Sequence, residues 1–115
     1  MDYPLVSVWS VTYNHINFIG EALKSALEQD YPNLEVVVAD DGSTDGTTEV
    51  INEFAQKYPK RLVALPSRKN QGISGVLSNF NRALKACRGK YIAFLEGDDI
   101  FLPGKISKQV AWLEE

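Results

Sequence analysis

The sequence predicts an α/β protein, a Rossmann-like three-layer α/β/α arrangement around a mainly parallel sheet. Two observations predict it. Four short runs are apolar almost without interruption, as strands covered on both faces are, and between them apolar residues recur at helical spacing. A third observation points to where such a protein would work: each run is followed by a polar loop, and two of those loops open on carboxylates.

The first run, residues 5–11, is rich in β-branched residues and leads into Thr12-Tyr13-Asn14. Ile19, Ala22, Leu23, Ala26 and Leu27 follow at i, i+3, i+4, i+7 and i+8, one face of an amphipathic helix. The second run, residues 34–39, passes into Asp40-Asp41-Gly42-Ser43, and Val50, Ile51, Phe54, Ala55 and Tyr58 form a second helical stripe. Asp45, near the start of that helix, reads as an acid complementing the helix dipole. The third run, Leu62–Leu65, precedes Ser67-Arg68-Lys69-Asn70; the helix after it carries Val76, Leu77, Phe80, Ala83, Leu84 and Cys87 as its stripe, and Asn79 and Asn81 fit its surface as well as they fit the site role that a family resemblance given below implies. The fourth run, residues 91–95, ends in Glu96-Gly97-Asp98-Asp99. Pro103, a good first-turn residue, opens a last helix that turns Ile106, Val110 and Leu113 inward. Such alternation implies right-handed crossovers and a ligand held at the carboxyl ends of the strands.

A chain of 115 residues makes one domain with a real core. Twelve basic against fifteen acidic residues, a net charge of -3, lack the basic field that nucleic acid or an anionic membrane requires. The single cysteine, Cys87, forms no internal disulfide, reads as core packing, and fits a reducing cytoplasm. No apolar run approaches the roughly 20 residues of a membrane span.

Burying unpaired charge is costly, so Asp40 and Asp41 must emerge where a cation or hydrogen-bond donors meet them. In the fourth loop, alternation aims Glu96 and Asp98 at one target, and Gly97 lets a ligand approach the backbone. This is a hard-cation arrangement suited to Mg2+ or Mn2+, which accept one or two carboxylates and leave other positions to phosphate and water. Two like charges ~4 Å apart repel by about 4 kcal/mol at an effective dielectric near 20, so a diphosphate needs such an ion between itself and these acids. The two acid-tipped strands are expected side by side. Calcium in an EF-hand is disfavoured because Asn52 stands where a bidentate Glu is needed, and neither a phosphate-binding G-x-x-x-x-G-K-[ST] nor a dinucleotide G-x-G-x-x-G is in place.

With "VSVWSVTYN", "ALEQDYPNLEVVVADDGSTDGT", "NQG" and "GKYIAFLEGDDIFLPGKISKQ" in this order, the sequence resembles the family 2 glycosyltransferases of the GT-A fold over nearly its whole length. The resemblance implies that residues 1–115 are the nucleotide-sugar-binding part of a transferase domain, ending before its acceptor-binding half. It implies donor-site roles for Thr12, Tyr13, Asn14, Asp40, Asp41, Lys69, Asn70, Glu96 and Gly97. Tyr13 offers a face for stacking, Asp41 accepts a hydrogen bond from a uracil or similar base, Asp40 orients its loop, and Arg68, Lys69 and Asn70 lie by the base or phosphates. Glu96-Gly97-Asp98 matches the D-x-D motif, with Asp98 the direct metal ligand and Glu96 nearer the ribose or a metal-bound water. Val11 stands where the family often has proline, and Glu96 replaces the commoner aspartate. The implied reaction moves a sugar from a nucleotide-diphosphate sugar, a UDP-sugar for preference, to a hydroxyl of a saccharide or lipid-linked acceptor with inversion. The implied general base lies beyond Glu115, and His15 reads as a helix-start surface residue. Peripheral membrane association belongs to the full enzyme in this reading. Two other readings are a non-catalytic nucleotide-binding module and a phospho-receiver domain; a receiver has its acid pair after the first strand, which here ends Thr12-Tyr13-Asn14.

Overall fold

The computed structural model describes residues 3–65, 73–96 and 99–115, with residues 73–76 described by their backbone alone. The chain runs β1 (Val6–Thr12), α1 (Ile19–Leu27), β2 (Leu34–Asp40), α2 (Thr47–Lys57), β3 (Leu62–Leu65), α3 (Ile73–Ala86), β4 (Tyr91–Phe94) and α4 (Lys105–Leu113). All pairings are parallel, and the strand order is β3-β2-β1-β4. The fold class read from the sequence is the one observed.

Alternation along β1 and β2 feeds two cores. Val6, Val8, Val36 and Val38 meet Leu23 and Leu27 of α1, Ile51 of α2, and Ile106 and Val110 of α4. Val37 and Ala39 face the other way, with Trp9 and Val11, onto Ala83 and Ala86 of α3. Helices α1, α2 and α4 therefore cover one face and α3 the other. The chain steps outward from β1 to β2 to β3, then returns through α3 to set β4 on the free side of β1. Keeping the crossover right-handed while reversing direction requires that change of face, and it opens a crevice between the carboxyl ends of β1 and β4.

Four expectations are corrected. Leu77 and Leu84 are exposed at 59% and 40%, whereas Asn79 is 1% exposed. At about 100° per residue the inward line of α3 runs through Asn79, Ala83 and Ala86, and Leu77 and Leu84, seven residues apart, share the opposite flank. Helix α4 starts at Lys105 and not at Pro103, because Gly104, at φ 79°, is its N-cap in the left-handed region. Leu113, the last residue of α4, is exposed, and the core on that helix stops at Val110. Cys87 falls one residue past α3; it still packs against the second core, and its Sγ donates to the Ala83 carbonyl at 3.3 Å.

At the amino end of the sheet Glu35 is buried yet fully bonded. Its carboxylate accepts from Ser7 Oγ at 2.6 Å, from the Arg88 N–H at 2.8 Å and from the Arg88 guanidinium at 3.0 and 3.1 Å. Burial opposes its ionisation, but these donors together outweigh burial and hold the carboxyl below its usual range. Gly89 passes so close that a Cβ there would lie 2.6 Å from the Ser7 nitrogen and 2.7 Å from the Tyr91 carbonyl.

Candidate functional site

Four strands end at the carboxyl edge, and the described residues that follow β1, β2 and β4 build the candidate site. The Asp41 N–H donates to the Thr12 carbonyl at 2.8 Å, carrying the β1–β2 ladder one residue past β2, and on the other side the Leu95 N–H donates to the Trp9 carbonyl at 2.9 Å. Asp41 and Glu96 thus flank β1, which corrects the expectation of adjacent acid-tipped strands. Two interstrand spacings, roughly 10 Å, separate their strands, and the β1 loop lies between.

Two loops are laced together there. Asn14, at φ 52°, accepts the Thr44 N–H on its Oδ1 at 2.9 Å and donates its own N–H to Ser43 Oγ at 2.9 Å. His15 N–H donates to Thr47 Oγ1 at 3.0 Å, and Ile16 N–H to Asp45 at 3.2 Å. Asp40 accepts from the Ser43 N–H at 3.3 Å and from the hydroxyls of Ser43 and Thr48. Asp45 accepts the Thr47 hydroxyl at 2.6 Å and N–H at 3.0 Å, and these bonds hold its carboxyl below its usual range. Thr12 is buried, its hydroxyl 2.8 Å from His15 Nδ1, so it holds the loop from beneath. Tyr13 is exposed on the rim.

Asp41 is 2% exposed, and its Oδ1 accepts from Asn79 Nδ2 at 2.6 Å. Among the described residues no donor meets its Oδ2. Burial raises the carboxyl above its usual range; the Asn79 bond pulls against that rise, the neighbouring Asp40 charge adds to it and Arg82 opposes it. Arg82 donates to Asn79 Oδ1 through Nε at 3.1 Å and through a terminal nitrogen at 2.6 Å. Sequence reasoning left Asn79 undecided. Its only local signal was a polar residue four before the inward Ala83.

Glu96 is exposed at the end of β4, where the Asp99 N–H donates to its carbonyl at 3.0 Å. Gly97, Asp98, Arg68, Lys69 and Asn70 lie outside the described residues. Among the described residues no three His, Cys, Asp or Glu side chains gather as a metal group. The donors that are described at this rim, Glu96 and Asp99, are exposed carboxylates, the hard oxygen type that suits Mg2+ or Mn2+. The segment that follows is tied to α1: Gln29 donates to the Leu102 carbonyl at 2.9 Å and accepts the Ile106 N–H at 3.1 Å, and Ser25 Oγ accepts the Phe101 N–H at 3.0 Å. A cleft of about 480 Å³ opens beside it, lined by Phe94, Asp99, Phe101, Lys105 and Lys108 among others. No helix among the described residues is long and apolar enough to cross a membrane.

The model of the family described as "Glycosyl transferase family 2" matches residues 7–115. The UDP-Glc:alpha-D-GlcNAc-diphosphoundecaprenol beta-1,3-glucosyltransferase WfaP of Escherichia coli is 38% identical over 96% of this chain and 41% of its own length. Among solved structures, the mannosyltransferase PcManGT of Pyrobaculum calidifontis, in complex with GDP-Man and Mn2+, is 31% identical with a TM-score of 0.85 over 100% of this chain and 34% of that one. TarS 1-349 of S. aureus, in complex with UDP, is 29% identical with a TM-score of 0.80 over 96% of this chain and 32% of that one. The chain thus spans well under half the length of these relatives.

Proposed function

The chain belongs to glycosyl transferase family 2 and has the GT-A fold, and we propose that it forms the part of a glycosyltransferase that binds a nucleotide-diphosphate sugar and a divalent metal ion. The observation that carries this reading is the carboxyl edge: Asp41 and Glu96 stand on either side of the β1 loop, at the point where the strand order reverses. The base lies by Tyr13 and the laced loop of Asn14 and Ser43, with Asp41 accepting from it. Lys69 and Asn70 belong to the same site. The diphosphate lies toward Glu96-Gly97-Asp98, with Asp98 the ligand of Mg2+ or Mn2+. When bound, the ion supplies charge neutralisation for the departing diphosphate.

The bond from the anomeric carbon to the diphosphate breaks as the acceptor oxygen attacks from the opposite face, giving inversion. Asp40 contributes by fixing Ser43 and Thr48, so the loop under the base is set before the ligand arrives. No residue of 1–115 is assigned as general base. A saccharide or lipid-linked acceptor, a cytoplasmic setting, peripheral membrane association of the full enzyme and a role in cell-envelope polysaccharide synthesis complete the proposal; the relatedness to WfaP supports the acceptor class.

Calorimetric titration with UDP and GDP, with and without Mn2+, tests it. Wild type binds nucleotide more tightly with Mn2+, and Asp98→Ala loses that gain, about tenfold or more. Equal binding by both proteins, indifferent to the metal, would remove the site assignment.

A further inference from the structure

The sheet ends on one side in β4, which pairs only with β1. The Leu95 N–H donates to the Trp9 carbonyl at 2.9 Å, so by alternation the backbone groups of Tyr91 and Ala93 also face β1, and those of Ile92 and Phe94 point away from it. No described residue meets them. The side chains of the same two residues are 50% and 40% exposed, and Phe94 stacks on Phe80 of α3 with ring centroids 6.1 Å apart. Leu77 and Leu84, one turn before and one turn after Phe80, extend the apolar strip. Neither charge nor proline interrupts Tyr91–Phe94, so nothing within the strand blunts this edge.

The geometry points to an interface between two copies of this 115-residue chain, in which β4 pairs antiparallel with β4 of the other copy and joins the two sheets into one. A two-fold axis through Ala93 sets Ile92 opposite Phe94 of the other copy on both sides of the axis. Those are the residues whose N–H and C=O groups are free, and their side chains form β-branched and aromatic pairs on the α3 face. Ala93 meets Ala93 on the other face, where small side chains let the strands close. The same register brings Lys90, just before β4, opposite Glu96, which is exposed just beyond it. Lys90 Nζ meets Glu114 at 2.8 Å on its own chain and keeps two further donors. Antiparallel pairing therefore joins unlike charges at both ends of the seam, whereas parallel pairing would set like against like. The opposite edge, β3, lacks this match: Lys60 and Arg61 precede it and Pro66, Arg68 and Lys69 follow it, so two copies would oppose basic ends. A two-fold pair consumes both β4 edges, and association stops at two.

Sedimentation equilibrium tests this on the 115-residue chain without nucleotide or metal, from about 10 to about 500 µM. Wild type is expected to rise from 12.8 kDa to a plateau at twice that mass, with a dissociation constant of about 100 µM or tighter. Ile92→Lys puts an unpaired charge into the seam and should weaken association about tenfold or more, with the fold checked by circular dichroism. Lys90→Glu and Glu96→Lys should each weaken it by a smaller factor, and the double variant, which restores unlike charges across the seam, should recover most of the loss. A wild type that stays at 12.8 kDa, a mass that climbs past two copies, or a dimer that Ile92→Lys leaves intact would overturn the interface. A double variant no tighter than its single parents would overturn the antiparallel register.

Discussion

Two buried carboxyls bracket strand β2, Glu35 near its amino end and Asp41 just past Asp40 at its carboxyl end, and their surroundings treat the two oppositely. Glu35 and Asp41 are both 2% exposed. Glu35, at the amino end of the sheet, receives donors on both oxygens from Ser7 and Arg88, and its carboxyl is held below its usual range. Asp41, at the carboxyl end, receives a donor on one oxygen only among the described residues, and burial raises its carboxyl above the usual range. The first arrangement spends its hydrogen-bonding capacity on the fold. The second holds capacity back at the edge proposed above to receive the nucleotide, and the molecule carries that cost in its free state.

The largest effect expected from this contrast is at Gly89. Its Cβ position is closed by backbone atoms of Ser7 and Tyr91 at 2.6 and 2.7 Å, which cannot swing aside as a side chain does. Gly89→Ala should push β4 off β1 beside the Glu35 cluster and destabilise the domain by about 3 kcal/mol, measured by urea denaturation. A loss below about 1 kcal/mol would mean that the amino end is not the rigid end.

Next come the two carboxyls themselves. Glu35→Gln should cost about 2 kcal/mol at neutral pH, because the Arg88 donors lose a charged acceptor. A depressed folded pKa contributes stability that is present above the usual 4.5 and lost as pH falls through the folded value, so this deficit should shrink on acidification below 4.5. Asp41→Asn should behave in the opposite sense. A raised folded pKa contributes stability that is present below the usual 3.8 and lost as pH rises through the folded value, so at neutral pH the variant should equal or exceed wild type, and its advantage should vanish toward 3.8. The same variant should lose UDP affinity, since an amide turned to Asn79 no longer offers the base a charged acceptor. Denaturation midpoints from about pH 3 to about pH 7, on both sides of the usual carboxyl values, check both signs, and a destabilised Asp41→Asn at neutral pH would erase the distinction between the two carboxyls.

The order of elements and the polar loops at the strand ends were legible because both are local: apolar runs and helical stripes follow from period and composition. The strand order was not, since nothing near residues 91–94 says that β4 returns to the side of β1; the acid-tipped strands were therefore expected together and lie on either side of β1. On α3 the apolar stripe itself misled. Leu77 and Leu84 looked like core, but the buried face is built around Asn79, whose partner Asp41 is 38 residues away. Glu35 left a plainer trace, a lone acid inside the continuous run "LEVVV", although only the fold brings Arg88 to it.

The smallest effect separates two serines three residues apart on β1. Both are 0% exposed. Ser7 Oγ donates to Glu35 and accepts the N–H groups of Arg88 at 3.2 Å and Gly89 at 2.8 Å, whereas Ser10 Oγ is enclosed without a hydrogen-bond partner among the described residues. Removing a bonded hydroxyl strands its partners, and removing an unbonded one relieves a desolvated dipole. Ser7→Ala should therefore cost about 1 kcal/mol or more, and Ser10→Ala should be neutral or stabilising by up to about 1 kcal/mol, in the same denaturation experiment. Ser10 lies toward the carboxyl half of the strand and Ser7 toward the amino half, so the pair samples the contrast within one strand by a single change of one oxygen atom. Equal losses in the two variants would show that hydrogen bonding is satisfied alike along β1, and that the withheld capacity at Asp41 is a property of that residue and not of the edge it stands on.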